Sequence, residues 1–330
     1  MQSEFRQDVV SGDWILIAPG RKKRANSFVR VGKRPRSLKE GCPFENFENH
    51  KNVIISNYFD QGEDWRIKVL ANKYPAVVHS HKEPKVIKGG KNSIYSVFPG
   101  IGHHELVVTR DHDNDYSKLN IKDASLVLQV FRDRYLEFIK DKNMSYVSIF
   151  HNFGVGSGGS IYHPHYQIIA IPIIPPDIRH SLHGSKKYYE VHKKCAHCAM
   201  IALEKKDKKR IIFENKSAIV FAPFVSRTPF EMRVFPKEHS PYFEETNPEV
   251  MADIAECLQA AINKIDKGLD ADYNFFFHTS PILDKKKYHH YHWHIEVLPK
   301  LTHLGGFELN TGIAINVVDP NEASKLLRNA

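Results

Sequence analysis

Residues Asn152–Pro172 read NFGVGSGGSIYHPHYQIIAIP. A run rich in glycine and serine leads into His163-Pro-His165-Tyr-Gln167, and an aliphatic stretch follows at once. Side chains i, i+2 and i+4 of a strand share a face, so an extended reading points His163, His165 and Gln167 the same way. Ile168, Ile169, Ala170 and Ile171 then carry the strand into the core. Upstream, Tyr146–Phe150 reads as a strand, and before it Val127, Phe131, Tyr135 and Phe138 recur at helical spacing on one face. An alternating strand, Glu105–Thr109, opens the unit and ends near His112.

The same order returns downstream. Glu231–Phe235 reads as a strand ending near His239, Met251, Ile254, Leu258 and Ile265 mark one helix face, Tyr273–His278 is a strand, and His292-Trp-His294 closes the unit. His112 and His163 are 51 residues apart, His239 and His292 are 53 apart. Matching order and spacing indicate an internal duplication. The expected fold is α+β, two halves in which a helix covers an antiparallel sheet. The boundary is expected near 180 to 190, giving a catalytic N-terminal domain over 1–185 and a C-terminal domain with a structural metal site over 186–330.

Composition limits what such a chain can be. With 330 residues, 42% hydrophobic and 26% charged, it is long enough for about two globular domains and too apolar to be disordered. No apolar run approaches the length of a membrane span and the first residues lack a signal-peptide core, so a cytoplasmic protein without a membrane partner is expected. The net charge of +9 suits either nucleic acid or a pocket for phosphorylated small molecules. The basic runs Arg21–Arg24, Lys205–Arg210 and Lys285–Lys287 lack interleaved aromatics and read as solvated surface, so no nucleic-acid partner is expected.

Two kinds of chemistry stand out. Glycines 154, 156, 158 and 159, with Ser157 and Ser160, form a loop whose backbone N–H groups can approach an anion closely, and a histidine follows it. That order suits phosphoryl or nucleotidyl transfer, the loop neutralising phosphate charge while an imidazole attacks. Separately, Cys195-Ala-His-Cys198, with His239 and the His292/His294 pair downstream, offers two thiolates and two imidazoles for a Cys2His2 zinc site. Cys42, Glu45, His112 and His163 stand in the same order in the first half, with a carboxylate in place of the second thiolate. The second half has DKKKYHHY where the glycine-rich loop should be, so one active site per chain is expected. His278, His289, His290 and His294 read as structural or surface histidines, His294 nearest the second metal. Cys257 reads as a buried small hydrophobe, and Trp14 and Trp293 as core.

In their order these residues resemble the galactose-1-phosphate uridylyltransferase family of the histidine-triad superfamily. The resemblance runs along nearly the whole chain, through RQDVVSGDWILIAPGRKKR, ANKYPA, TRDHD, HPHYQ, ENKSAIVFAPF, FEMRVFPKEH, FHTSP, YHWHIEVLP and GGFELNTGIAIN. It implies two histidine-triad-like halves, a homodimer, and a ping-pong reaction in which His165 takes a nucleoside monophosphate from a nucleotide sugar. It further implies that Gln167 contacts the phosphate of the covalent intermediate and that Asn152, Gly158, Gly159 and Ser160 hold the same phosphate region. Arg21, Arg24 and Asn72 match nucleotide- or phosphate-binding positions, and Phe307 and Glu308 match a pair that meets the hexose across the subunit boundary. Cys42, His112 and His163 match one zinc site, while Cys195, Cys198, His239 and His292 match a second. The expected activity is UDP-glucose:hexose-1-phosphate uridylyltransfer. An ADP-glucose phosphorylase with phosphate as acceptor, and a histidine-triad nucleotide hydrolase, are the alternatives of the same class. A non-catalytic zinc-stabilised RNA- or nucleotide-binding protein is the alternative from a different class.

Overall fold

A computed structural model describes residues 2–23, 36–59, 64–81, 87–88 and 94–330. Two short strands, β1 (Glu4–Gln7) and β2 (Trp14–Ile17), open the chain. The first half then supplies β3 (Ile54–Phe59), β4 (Trp65–Ala71), the small ribbon β5 (Ile87–Lys88) and β6 (Ser96–Val97), and β7 (His103–Thr109). Helix α1 (Ile121–Ile139) follows, then β8 (Tyr146–Phe153) and β9 (His165–Ile171). Helices α2 (Pro176–His192) and α3 (Ala196–Asp207) lead into the second half, so position 185 falls inside α2. That half carries β10 (Ile211–Glu214), β11 (Ala218–Phe221), β12 (Met232–Pro236), α4 (Met251–Leu269), β13 (Tyr273–His278) and β14 (His294–Pro299). Helix α5 (Gly306–Thr311), β15 (Ile315–Asn316) and α6 (Pro320–Asn329) complete the chain.

The duplication is visible in the sheet. Ten strands pair antiparallel in the order β10-β11-β12-β14-β13-β8-β9-β7-β4-β3. Counting from either end, each half contributes its first, second, third, fifth and fourth strand, and the halves meet where β8 pairs with β13. The repeat read from sequence is therefore a repeat of topology, and the fold is α+β.

Helices α1 and α4 contact each other and share one core with the sheet. Asn120 caps α1 by accepting from the Asp123 N–H, and the apolar positions at three- and four-residue spacing, Val127, Leu128, Phe131, Tyr135 and Phe138, are buried. Each such side chain stabilises by about 1.5–3 kcal/mol relative to exposure. Helix α4 buries Ile254, Leu258, Ile265 and also Cys257, as expected of a small hydrophobe. Trp293 is fully buried, whereas Trp14 is 48% exposed because β2 lies in a small outer sheet with β1 and β15.

Strand period decides which side the chemistry occupies. On β9 Tyr166, Ile168 and Ala170 enter the helix-covered core, so His165, Gln167 and Ile169 lie on the other face. The uniform reading of Ile168–Ile171 as core fails for this reason: Ile169 and Ile171 are only half-buried. Arg210 is not solvated surface either, since it is buried with bonds of 3.0 and 2.8 Å to Glu204. Lys285 pairs with Glu244 and Glu245. Among the described residues no helix is long and apolar enough to cross a membrane.

Candidate active site and two metal clusters

His165 begins β9 and is 9% exposed, its ring 5.2 Å from that of Phe44. Its Nδ1 lies 3.0 Å from the His163 carbonyl oxygen. A carbonyl only accepts, so Nδ1 carries the proton and donates, and Nε2 is the lone-pair nitrogen. This is the tautomer a nucleophilic imidazole needs. As Nε2 gains a bond and the ring becomes cationic, the Nδ1–H bond to the carbonyl becomes charge-assisted and stronger.

Gln167 stands two residues on, and it is held by a residue that the sequence reading did not single out. His104 Nδ1 accepts the Ala76 N–H at 3.0 Å, so His104 Nε2 is protonated and donates to Gln167 Oε1 at 3.0 Å. The Gln167 carbonyl is thereby engaged and its NH2 is left to face outward as a donor. Asn72, whose Oδ1 accepts the Tyr74 N–H at 2.9 Å, lies beside the same His104 nitrogen without bonding it, since both are donors, so the predicted residues Asn72 and Gln167 are neighbours across His104. Strand alternation puts His104 on the face of Leu106, whose cross-strand partner is Gln167. That register, absent from a linear reading, is what would have identified it.

The glycine-rich loop is built differently from the expectation. The N–H of Gly156 donates to Asp272 Oδ2 at 2.7 Å, and those of Ser157 and Gly159 donate to the Gly154 carbonyl at 3.3 and 2.8 Å. The N–H of Gly158 donates to Val155 O at 3.0 Å. Four backbone donors assigned to an anion are thus spent inside the chain. Gly154, at φ 86°, is required because a Cβ there would overlap the Asp272 carboxylate, and one at Gly159 would fall 2.6 Å from Asn152 O. What the tight loop presents instead is Asn152: its Oδ1 accepts from Asn274 at 2.7 Å, which leaves its Nδ2 beside Gly158. Asp272 immediately precedes β13 and Asn274 lies within it, so the second half braces the first half's loop. Ser160 is exposed and lines, with Cys42, Pro43, Gly159 and His163, a cleft of about 290 Å³.

Near His165 lies a cluster of Cys42, His112 and His163, with Glu45 beside its two imidazoles. His112 Nε2 donates to Ser37 O at 2.9 Å and His163 Nε2 to Thr109 O at 2.7 Å, so both Nδ1 atoms are lone-pair nitrogens. They face each other at 3.2 Å, with Cys42 Sγ 3.6 Å from His163 Nδ1. Glu45 Oε1, buried without a hydrogen-bond donor among the described residues, is 3.3 and 3.5 Å from the same two nitrogens. Acceptors converging on one point repel unless a cation sits between them, and the carbonyl-held tautomers are those of metal-ligating histidines. Burial pushes His163 down to about 4, which keeps it neutral, and burial pushes the Cys42 thiol up. The donor set fits zinc.

The second cluster is the same device with two thiols. Cys195, which caps α3, Cys198, His239 and His292 bring their ligand atoms within 4.8 Å of one another. Cys198 Sγ is 3.3 Å from His239 Nδ1 and 3.4 Å from His292 Nδ1, and His239 Nε2 donates to His289 O at 2.9 Å. The Cys198 thiol lowers Cys195 by donating to its thiolate, which in turn raises Cys198. This set also fits zinc.

His294 does not join that cluster. It follows strand parity to the sheet face and groups with His278 and Glu296 beside a cavity of about 230 Å³. Its Nδ1 bonds His292 O at 3.2 Å, the arrangement His165 makes with His163 O. Glu296 stands where Gln167 stands in the first half, paired with buried Arg233 at 3.1 Å and with Arg227. Arg233 also pairs with Glu231 at 3.1 Å.

The remaining predicted residues lie apart. Arg21 is exposed in the turn after β2, and Arg24 falls outside the described residues. Phe307 and Glu308 occupy α5; Phe307 is 45% exposed and Glu308 accepts the Gly305 N–H at 3.0 Å.

The duplicated sheet carries one histidine–glutamine pair beside a braced glycine loop, and comparison with known proteins places the chain among nucleotidyltransferases of one family. The family model described as Domain of unknown function (DUF4921) matches residues 45–329. The chain is 30% identical to an ADP-glucose phosphorylase of Arabidopsis thaliana over 98% of this chain and 92% of that protein. It is 26% identical to a galactose-1-phosphate uridylyltransferase of Thermotoga maritima over 98% of each. The crystal structure of the Arabidopsis thaliana ADP-glucose phosphorylase with bound ADP-glucose superposes with a TM-score of 0.83 at 27% identity, covering 100% of this chain and 99% of that one. A uridylyltransferase structure gives 0.74 at 27%, covering 99% and 98%. The chain belongs to the galactose-1-phosphate uridylyltransferase family, which includes the ADP-glucose phosphorylases.

Proposed function

We propose that the protein moves a nucleoside monophosphate from a nucleotide sugar to a phosphate acceptor through a covalent intermediate on His165. The observation that carries this reading is the His163 carbonyl bond, which leaves His165 Nε2 as the nucleophilic nitrogen beside Gln167. Nε2 attacks the α-phosphorus, the bond from that phosphorus to the bridging oxygen breaks, and hexose 1-phosphate departs with the electron pair. A phosphate oxygen of the acceptor then displaces the imidazole and restores His165. Hexose 1-phosphate is an adequate leaving group, so positioning and donors to the phosphate charge do most of the work. We assign the donor role to the NH2 groups of Gln167 and Asn152, with Ser160, Gly158 and Gly159 shaping the same region.

For the donor we favour ADP-glucose with inorganic phosphate as acceptor. The similarity to the ADP-glucose phosphorylase, 30% identity and a TM-score of 0.83, supports it. Uridylyl transfer from UDP-glucose to galactose 1-phosphate is the second reading, supported by the full-length match to the Thermotoga maritima enzyme. Zinc at both clusters would be structural, the first holding His163, and so the carbonyl that orients His165. Exposed Phe307 and half-buried Glu308 on α5 suit a hexose-contacting pair lent to a neighbouring subunit of a homodimer.

The test is a product assay with each donor and each acceptor in turn. ADP and glucose 1-phosphate formed from ADP-glucose and phosphate establishes the phosphorylase. UDP-galactose formed from UDP-glucose and galactose 1-phosphate moves the assignment to the uridylyltransferase, and hydrolysis without transfer overturns both.

A further inference from the structure

A third group of ligands lies on the helix-side face of the first half, separate from both cysteine clusters. His103 at the start of β7 places Nε2 2.9 Å from Asp141 Oδ2, and His79 places Nδ1 3.8 Å from the same oxygen. All three ligand atoms lie within 4.8 Å of one another. A cation bound at about 2.0–2.2 Å to each ligand needs separations in this range, with only a slight opening of the His103–Asp141 pair.

Each ligand is fixed by its own element. The His103 ring stacks on Phe138 of α1 at 4.8 Å. Asp141 ends the turn after α1, its N–H donating to Phe138 O at 3.1 Å and its Oδ1 taking the Asn143 N–H at 3.0 Å, which aims Oδ2 at the two imidazoles. His79 is held by its neighbour Val78, whose N–H donates to Gly100 O at 3.2 Å and whose carbonyl accepts the Gly102 N–H at 3.0 Å. The His81 ring lies 4.5 Å from that of His79, near enough to offer a further ligand.

We propose that His79, His103 and Asp141 form a binding site for a first-row divalent cation. Two imidazoles and one carboxylate with open positions for water suit borderline ions such as Ni2+ or Zn2+ rather than Ca2+ or Mg2+. With His79 at 46% and Asp141 at 17% side-chain exposure, the site opens to solvent and exchanges its ion more readily than the buried Cys42 cluster. The occupied site ties segment 72–81 to β7 and to the end of α1. The same segment supplies the Ala76 N–H that holds His104 on the opposite face.

The site does not depend on the transfer reaction, so binding is the readout. The full chain, dialysed free of loosely held metal, is titrated with Ni2+ by calorimetry, and crystals soaked in Ni2+ are examined for anomalous scattering. One equivalent of Ni2+ per chain is expected, with an anomalous peak between the three side chains. His79→Ala and Asp141→Asn should each weaken that binding about tenfold or more. His79 is exposed enough for its variant to keep the fold. Absence of binding in the unaltered chain, unchanged affinity in His79→Ala, or a peak elsewhere only would overturn the proposal.

Discussion

The two halves share a strand order and nearly a pentapeptide, His163-Pro-His165-Tyr-Gln167 against His292-Trp-His294-Ile-Glu296, yet they would treat a phosphate in opposite ways. In both, the first histidine turns to a cysteine cluster and the second bonds the first one's carbonyl. The third residue separates them. Gln167 is neutral and has its carbonyl taken by His104, so a donor remains. Glu296 is an anion locked to Arg227 and Arg233, and it would repel a phosphate while denying it those two cations. The halves share the scaffold and the metal-type cluster, and an amide-to-carboxylate difference together with the missing glycine loop is the basis on which we propose chemistry in one half only.

The largest effect should come from removing the two second histidines in turn. His165→Ala should lower nucleotidyl transfer by about 10⁴-fold or more. His294→Asn should leave the rate per folded molecule within about tenfold, a contrast that steady-state kinetics with either nucleotide sugar would measure.

Next comes Glu296→Gln, which restores the first-half pattern in the second half. It deprives half-buried Arg227 of its carboxylate and leaves buried Arg233 with Glu231 and Asp8, so denaturant unfolding should show a loss of about 1–3 kcal/mol, with no second reactive histidine created. Burial alone would raise Glu296, but Arg227 and Arg233 outweigh it and hold it well below the ordinary carboxylate range. A depressed folded pKa stabilises above the unfolded value of about 4.3 and that stabilisation is lost as pH falls toward the folded one. The variant should therefore lack that part of the acid-induced loss of stability below about pH 4.3.

A smaller effect is expected at His104. His104→Ala frees the Gln167 amide to rotate, and kcat should fall about 10- to 100-fold with KM changed less. An equal loss in a Gln167→Ala background would show that His104 acts by another route. The finest comparison is between the metal clusters: Glu45→Cys rebuilds Cys-x-x-Cys in the first half. Zinc there should resist a competing chelator about tenfold better, since thiolate is the softer ligand.

The repeat, both helix faces and both ligand clusters were legible in the sequence, because each depends on short-range period or on residue types that rarely gather by chance. Val127, Phe131 and Tyr135 reveal a helix by spacing alone, and Cys195 with Cys198 reveals a cluster by identity. What could not be read depends on register between strands or on contact between halves. His104 reaches Gln167 across β7 and β9, and Asp272 takes the Gly156 N–H from 116 residues away. The loop looked like an anion cradle because sequence records which backbone donors exist, not which are already spent. Trp14 misled in a similar way, since β2 alternates in an outer sheet rather than in the core.

The most direct measurement is peptide mapping by mass spectrometry of the acid-sensitive adduct formed when the protein is mixed briefly with ADP-glucose or UDP-glucose. One nucleotidyl group per chain, on the peptide containing His165 and absent from His165→Ala, is the expected result. A group on His294, two per chain, or none with either donor while turnover proceeds would contradict the assignment of covalent chemistry to the first half.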